Sequence, residues 1–177
     1  LIEDGKISDV GGDLVAPLDA KVIDVDGRMV LPGFIDAHSH IGMWEEGMGF
    51  EGSDGNEMLD PITPHLRAID AINPMDQAFE EAYMGGVTTA ITGPGSANVI
   101  GGMFVALKTY GRRVDDMIIR NPIAMKIALG ENPKRVYKDQ KKSPMTRMAT
   151  AAMLRETLFR ARTYMEKKEQ AQEDISK

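Results

Sequence analysis

The sequence predicts an α/β fold built on a parallel sheet, and three stretches carry that prediction. Residues 31–40, LPGFIDAHSH, read as a strand entered through Pro32-Gly33. Asn73-Pro74 opens a helix that Gly85-Gly86 closes. Val87–Thr92 is short and β-branched, the composition of a second buried strand. Strand, helix and strand in that order make a βαβ unit, whose two strands lie parallel.

Taken in order, residues 1–30 alternate short apolar runs with Asp4-Gly5, Gly11-Gly12 and Asp26-Gly27, which are strand-and-turn signals. Residues 31–40 begin apolar, so a buried strand is expected, with polar groups at its C-terminal end. Residues 41–73 are rich in Gly, Asp, Glu and Pro and show no helix or strand period. A connection that long is functional or mobile in most compact domains. In the helix that follows, Asn73 suits the N-cap, Asp76 the first turn, and Met75, Ala78, Phe79 and Ala82 one apolar face.

Glycines crowd residues 93–102 after the second strand, where free N–H groups could hold an anion, although a structural turn is the simpler reading. The apolar runs 104–107 and 117–119 could pair as a hairpin excursion, and residues 124–129, AMKIAL, form the next strand. Ser143-Pro144 opens a final helix with Ala151, Leu154, Leu158, Ala161 and Met165 as its core stripe. From Glu166 the tail is charged and expected to fray.

The chemistry sits at the end of the first stretch. Side chains alternate along a strand, so Asp36, His38 and His40 share a face. Two imidazoles one strand-step apart can reach one metal ion, each lending a neutral nitrogen. The pair by itself is equally consistent with two solvated loop histidines. Ser39 faces the other way and is no convincing nucleophile. Elsewhere, Lys126 lies within an apolar strand, where an unpaired charge is costly, and Glu131 follows that strand. Arg67 and Asn98 are candidates for substrate binding, Trp44 and Glu45-Glu46 for lining a pocket, and His65 reads as a loop histidine.

Residues 30–40, VLPGFIDAHSH, resemble the first barrel strand of the amidohydrolase superfamily, especially its imidazolonepropionase-like members. The lead-ins Glu3-Asp4-Gly5-Lys6-Ile7 and Ile23-Asp24-Val25-Asp26-Gly27-Arg28 are similar to that family's opening segments, and Gly85-Gly86-Val87-Thr88-Thr89 resembles its second-strand entry. The resemblance implies a partial TIM (β/α)8 barrel over residues 31–177, preceded by a β-sandwich portion at 1–30. It implies a metal-dependent hydrolase of amides, cyclic amides or amidines, with deamination as the alternative reaction. His38 and His40 would bind one or two divalent ions, expected to be zinc. A metal of this kind polarises a carbonyl and lowers the pKa of bound water to about 7. Family branches place a carbamylated lysine or a glutamate as a further ligand, which leaves Lys126 and Glu131 as alternatives. A non-catalytic binding module with structural histidines stays as the contrasting reading.

Length bears on this. A (β/α)8 barrel takes about 200–250 residues, and this chain has 177. A partial chain is therefore expected, one that alone turns substrate over poorly or not at all. Its exposed strand edges predict self-association as a homo-oligomer.

The bulk properties exclude other classes. With no cysteine, disulfide and thiolate chemistry are absent. No apolar run approaches the roughly 18 residues of a bilayer span, so no membrane partner is expected, and a cytoplasmic location is. Residues 1–60 hold 14 acids against 3 bases, and the remainder 18 bases against 13 acids. The basic tract from Lys134 to Arg147 matches no nucleic-acid-binding motif, so it reads as a solvated face and not a nucleic-acid site. The partner expected is a small-molecule substrate. The thirteen methionines read as gap-filling core.

Overall fold

A computed structural model describes residues 1–175. The chain divides after Pro32 into two compact units.

In the first unit, Leu1–Pro32, strands β1 (Ile2–Glu3) and β2 (Lys6–Ile7) pair antiparallel. Asp4 and Gly5 join them with φ of 50° and 73°. Two successive positive φ values define a type I′ turn, whose twist suits a hairpin. Asp26 and Gly27 repeat those angles (50° and 70°), and Arg28 N–H donates to the Val25 carbonyl at 3.0 Å. Among the described residues this unit forms no further strand, and Ile7, Val15, Val22 and Met29 stay exposed.

The second unit is built on a four-stranded sheet in the order β3-β4-β5-β6. Strand β3 (Phe34–Ser39) runs parallel to β4 (Val87–Thr92), with Ile35 opposite Thr89 and Asp36 opposite Ala90. Strand β5 (Ile100–Lys108) is antiparallel to β4 and to β6 (Ile118–Ile127). The sheet is therefore mixed, which corrects the expectation of parallel strands throughout. The reason lies in residues 93–99: a parallel neighbour needs a crossover of about a dozen residues or more, and this connection is too short. The runs at 104–107 and 117–119 do pair, with Leu107 opposite Ile118, around the short helix α2 (Val114–Met117). They belong to the main sheet and form no excursion from it. AMKIAL closes β6, a strand that begins already at Ile118.

Strand β3 is exposed along its length, against the expectation of burial; Phe34 is 58% and Ile35 67% accessible. It is an edge strand, and β4 is its only strand neighbour among the described residues.

Helix α1 (Gln77–Met84) packs Phe79 into a core with Met43, Ala68, Ile72, Val105, Leu107 and Met117. Its N-cap is Asp76 and not Asn73. Asp76 Oδ1 accepts the Ala78 N–H at 3.3 Å, whereas Asn73 Oδ1 takes the Met75 N–H in a turn just upstream. Met75 consequently stays exposed. Asp76 is buried, and its Oδ2 has no hydrogen-bond partner among the described residues. Asp76→Ala should cost about 0.5–2 kcal/mol, read as a lower urea midpoint at unchanged slope. Asp76→Ser keeps one acceptor and deletes the orphaned oxygen, so it should cost nothing or stabilise.

Residues 41–73 are ordered by the sheet. Past Thr92, where β4 ends, this segment takes over beside β5: Ile62 bridges to Ile100 and Arg67 to Met103. Buried Thr63 anchors it, its hydroxyl donating to the Ile100 carbonyl at 3.0 Å. Helices α3 (Glu131–Asp139) and α4 (Arg147–Ile175) follow β6. Helix α4 starts later than Ser143 because the Thr146 hydroxyl, accepting the Ala149 N–H at 3.1 Å, caps its first turn. Its apolar stripe does not enter a core: Leu158 and Met165 are exposed, and Leu129, Ala151, Leu154 and Leu158 line an open groove of about 630 Å³. Most methionines are likewise outside, with Met43 and Met117 the ones that reach the core cluster. No helix among the described residues is long and apolar enough to cross a membrane.

Candidate metal centre

Strand β3 carries His38, and His40 follows directly at its C-terminal end. Their ring centroids lie 5.4 Å apart, nearly perpendicular at 80°. His40 Nδ1 is 2.6 Å from the Gly93 carbonyl oxygen, on the loop leaving β4. A carbonyl only accepts, so Nδ1 carries the hydrogen, and in the neutral ring the lone pair sits on Nε2. The Trp44 ring packs edge-on against His40 at 5.1 Å. Room for that indole depends on Gly55, where a Cβ would lie 2.0 Å from the Trp44 ring.

Lys126, on β6, reaches this corner from the far side of the sheet. Its Nζ is 3.3 Å from His38 Nε2 and 5.8 Å from the centroid of the Phe104 ring. Phe104 in turn contacts His38 at 5.5 Å and His40 at 6.5 Å between centroids. Partial burial holds the His38 pKa below its usual value, helped by the Lys126 cation and then His40, and opposed by Asp36. Burial lowers the Lys126 pKa as well. Asp36 is exposed, and its Oδ1 accepts the His38 backbone N–H at 3.0 Å.

The remaining candidates from the sequence fall elsewhere. Glu131 opens α3 and is exposed, and among the described residues no three His, Asp or Glu side chains gather as a metal cluster. The group brought to the two histidines is the lysine. Arg67 is tied through Nε and Nη2 to the Asp70 carboxylate, at 2.8 and 2.7 Å, a pairing that raises its pKa. It lines a cleft of about 560 Å³ with Met43, Asn56, Pro94 and Gly101. Asn98 is a scaffold residue, 2% exposed: its Nδ2 donates to Thr63 Oγ1 at 2.9 Å, and its Oδ1 accepts from the Tyr137 hydroxyl at 2.5 Å. That corrects its reading as a substrate contact, because both polar ends are spent inside the protein. His65 is an exposed loop residue. N–H groups of the glycine-rich loop are used internally, Gly95 to the Gly55 carbonyl and Ala97 to Asn56 Oδ1, so the turn reading fits them.

Sequence reasoning missed Phe104, Gly55, Gly93 and Tyr137. Phe104 sits in an apolar run that looks like any core strand, and the glycines look like ordinary loop residues. Tyr137 is buried, and burial pushes its hydroxyl up to about 12. A phenol raised above its unfolded value of about 10 stabilises the fold fully below that pH and loses the contribution as pH climbs through about 12. Tyr137→Phe removes that alkaline dependence and strands Asn98 Oδ1. It should cost about 1–3 kcal/mol at pH 7, measured by denaturant unfolding at neutral and alkaline pH.

Comparison with known proteins gives a consistent placement. No family model matches the chain. The crystal structure of an amidohydrolase from Thermotoga maritima MSB8 superposes with a TM-score of 0.92 at 47% identity, covering 98% of this chain and 45% of that one. Amidohydrolase tasK of Hapsidospora irregularis is 36% identical over 176 residues, which are 91% of this chain and 18% of that protein. A dihydroorotase of Mycobacterium tuberculosis is 49% identical over 41 residues, 23% of this chain and 10% of that protein. The chain thus spans less than half the length of the relatives it matches. Four sequence segments in order, the sheet that carries them and a near-complete superposition lead to one conclusion: the chain belongs to the amidohydrolase superfamily.

Proposed function

We propose that the protein is a metal-dependent hydrolase of carbon–nitrogen bonds in amides, cyclic amides or amidines, with a small molecule as substrate. His38 and His40 hold the metal, Lys126 supplies the third ligand in place of Glu131, and zinc is the ion two imidazoles suit. One observation carries the reading. His40 is hydrogen-bonded through Nδ1 to Gly93, which leaves its Nε2 free on a ring packed against His38, whose own Nε2 lies 3.3 Å from Lys126 Nζ. Histidine ligands commonly commit the second nitrogen to a carbonyl or carboxylate in this way, fixing tautomer and ring direction. The bound metal supplies Lewis acidity and an activated water at neutral pH.

The chain's own residues do the rest. Gly93 orients His40, while Trp44 packs against His40 and Phe104 against both rings. An ammonium beside His38 would repel a cation. A carbamate on Lys126, formed when the amine takes up carbon dioxide and releases a proton, would turn that position into an oxygen donor. A barrel reading is supported by the sheet itself. Side chains stand off a sheet face, so the meeting of Lys126 on β6 with His38 on β3, across two intervening strands, requires curvature toward that face.

The test is turnover by the full-length protein against a panel of N-acyl compounds, cyclic amides and amidines. Hydrolysis that a chelator abolishes and zinc restores supports the proposal. Ammonia released from an aminated ring, with no amide opened, would move the reaction to deamination. No metal-dependent reaction with any member would contradict both.

A further inference from the structure

We infer that Phe104 is a positioning residue for this centre, its ring setting the spacing of His38, His40 and Lys126. Residue 93 is glycine in order to admit that ring. The purpose of the arrangement rests on the proposed metal site; the contacts themselves do not.

Phe104 lies in β5 and is 5% exposed. Its ring meets His38 edge-on at 5.5 Å and 73°, lies 6.5 Å from His40, and has Lys126 Nζ 5.8 Å from its centroid. One buried, two-torsion side chain therefore touches three polar groups drawn from β3, the residue after it, and β6. His40 has a second restraint in its bond to Gly93. His38 has fewer: among the described residues its ring hydrogen-bonds to Lys126 and packs against His40 and Phe104. The lysine is long and flexible, so the orientation of His38 falls mainly to the aromatic ring.

Gly93 links the two halves. A Cβ there would lie 2.3 Å from Phe104 Cδ2 and Cγ, closer than any packing permits. The same residue's carbonyl accepts from His40 Nδ1. A side chain at position 93 would thus displace the ring that packs against the histidines. Pocket-lining aromatics commonly contribute area alone. This one packs against a backbone that tolerates no Cβ and against the three groups of the site.

The experiment uses the full-length protein, first stripped of metal. Imidazole nitrogen resonances of His38 and His40 at one fixed pH report the tautomer and hydrogen bonding of each ring. Phe104→Leu and Phe104→Met should shift both sets and weaken zinc binding by about 10–100-fold, as loss of an outer partner does. Gly93→Ala should do the same in the parent. In the Phe104→Leu background, where the ring is gone, Gly93→Ala should add little, a non-additivity that a merely destabilising role would not produce. If the Phe104 variants do not fold, Gly93→Ala alone decides, because it leaves the ring present but displaced. Unchanged nitrogen resonances in whichever of these variants fold would overturn the inference. A parent protein that binds no zinc would sink the metal reading, and the metal-free resonances would still decide the positioning role.

Discussion

Replacing either His38 or His40 with alanine is expected to abolish stoichiometric zinc binding. In the proposed metal site each imidazole would be one of few ligands, so its loss should exceed the about 10–100-fold penalty of losing an outer partner. Isothermal titration of the metal-free protein with zinc measures it directly. The two variants should differ in one respect. His38 is exposed and its ring nitrogen meets only a lysine, so His38→Ala should leave stability within about 0.5 kcal/mol. His40 is half-buried and bonded to Gly93, so His40→Ala should also cost about 0.5–1.5 kcal/mol of stability. Zinc affinity retained in both variants would show that the rings are structural.

The second large effect is on stability and lies beside the same strand end. Gly42 has φ of +80°, and a Cβ there would lie 2.7 Å from Phe79 Cε2 and 3.0 Å from Ile72 Cγ2. Gly42→Ala therefore adds left-handed strain of about 1–2 kcal/mol to overpacking of about 1–3 kcal/mol, a total of about 2–4 kcal/mol or more. Gly47 provides the control: its φ is +75°, yet nothing lies within 4 Å of a Cβ placed there. Gly47→Ala should show the strain alone. Equal losses at the two positions, measured by denaturant unfolding, would mean that contact with Phe79 is not felt. Because Gly42 follows His40 and its carbonyl accepts the Asn73 N–H at 2.9 Å, its variant should also lower zinc affinity while Gly47→Ala does not.

What could be read in the sequence, and what could not, divides along physical lines. Strand β4 was legible because its β-branched run is bounded by glycines on both sides, a local signal. The cap of α1 was not, because Asn73 and Asp76 both make good caps. The choice fell to tertiary packing: a helix starting at Gln77 directs Phe79 into the core. The antiparallel course of β5 was hidden in loop length, and an apolar run gives strand position without direction. At the site, adjacency on β3 announced the histidine pair. Its meeting with Lys126 spans 88 residues and depends on sheet curvature, so the sequence offered Lys126 and Glu131 on equal terms. Arg67 and Asn98 illustrate the opposite case. Their chemistry suits a ligand, but Asp70 engages two of the Arg67 donors, and Thr63 and Tyr137 hold the two ends of the buried Asn98 amide. The stripe on α4 was correctly seen as apolar, yet apolar periodicity says nothing of whether a covering surface is at hand.

The most direct test of the account is X-ray absorption at the zinc edge of the zinc-loaded full-length protein. The account predicts imidazole scattering with nitrogens at about 2.0–2.1 Å, diminished in step when His38 and then His40 is replaced. A first coordination sphere free of imidazole, or one that both replacements leave intact, would contradict it.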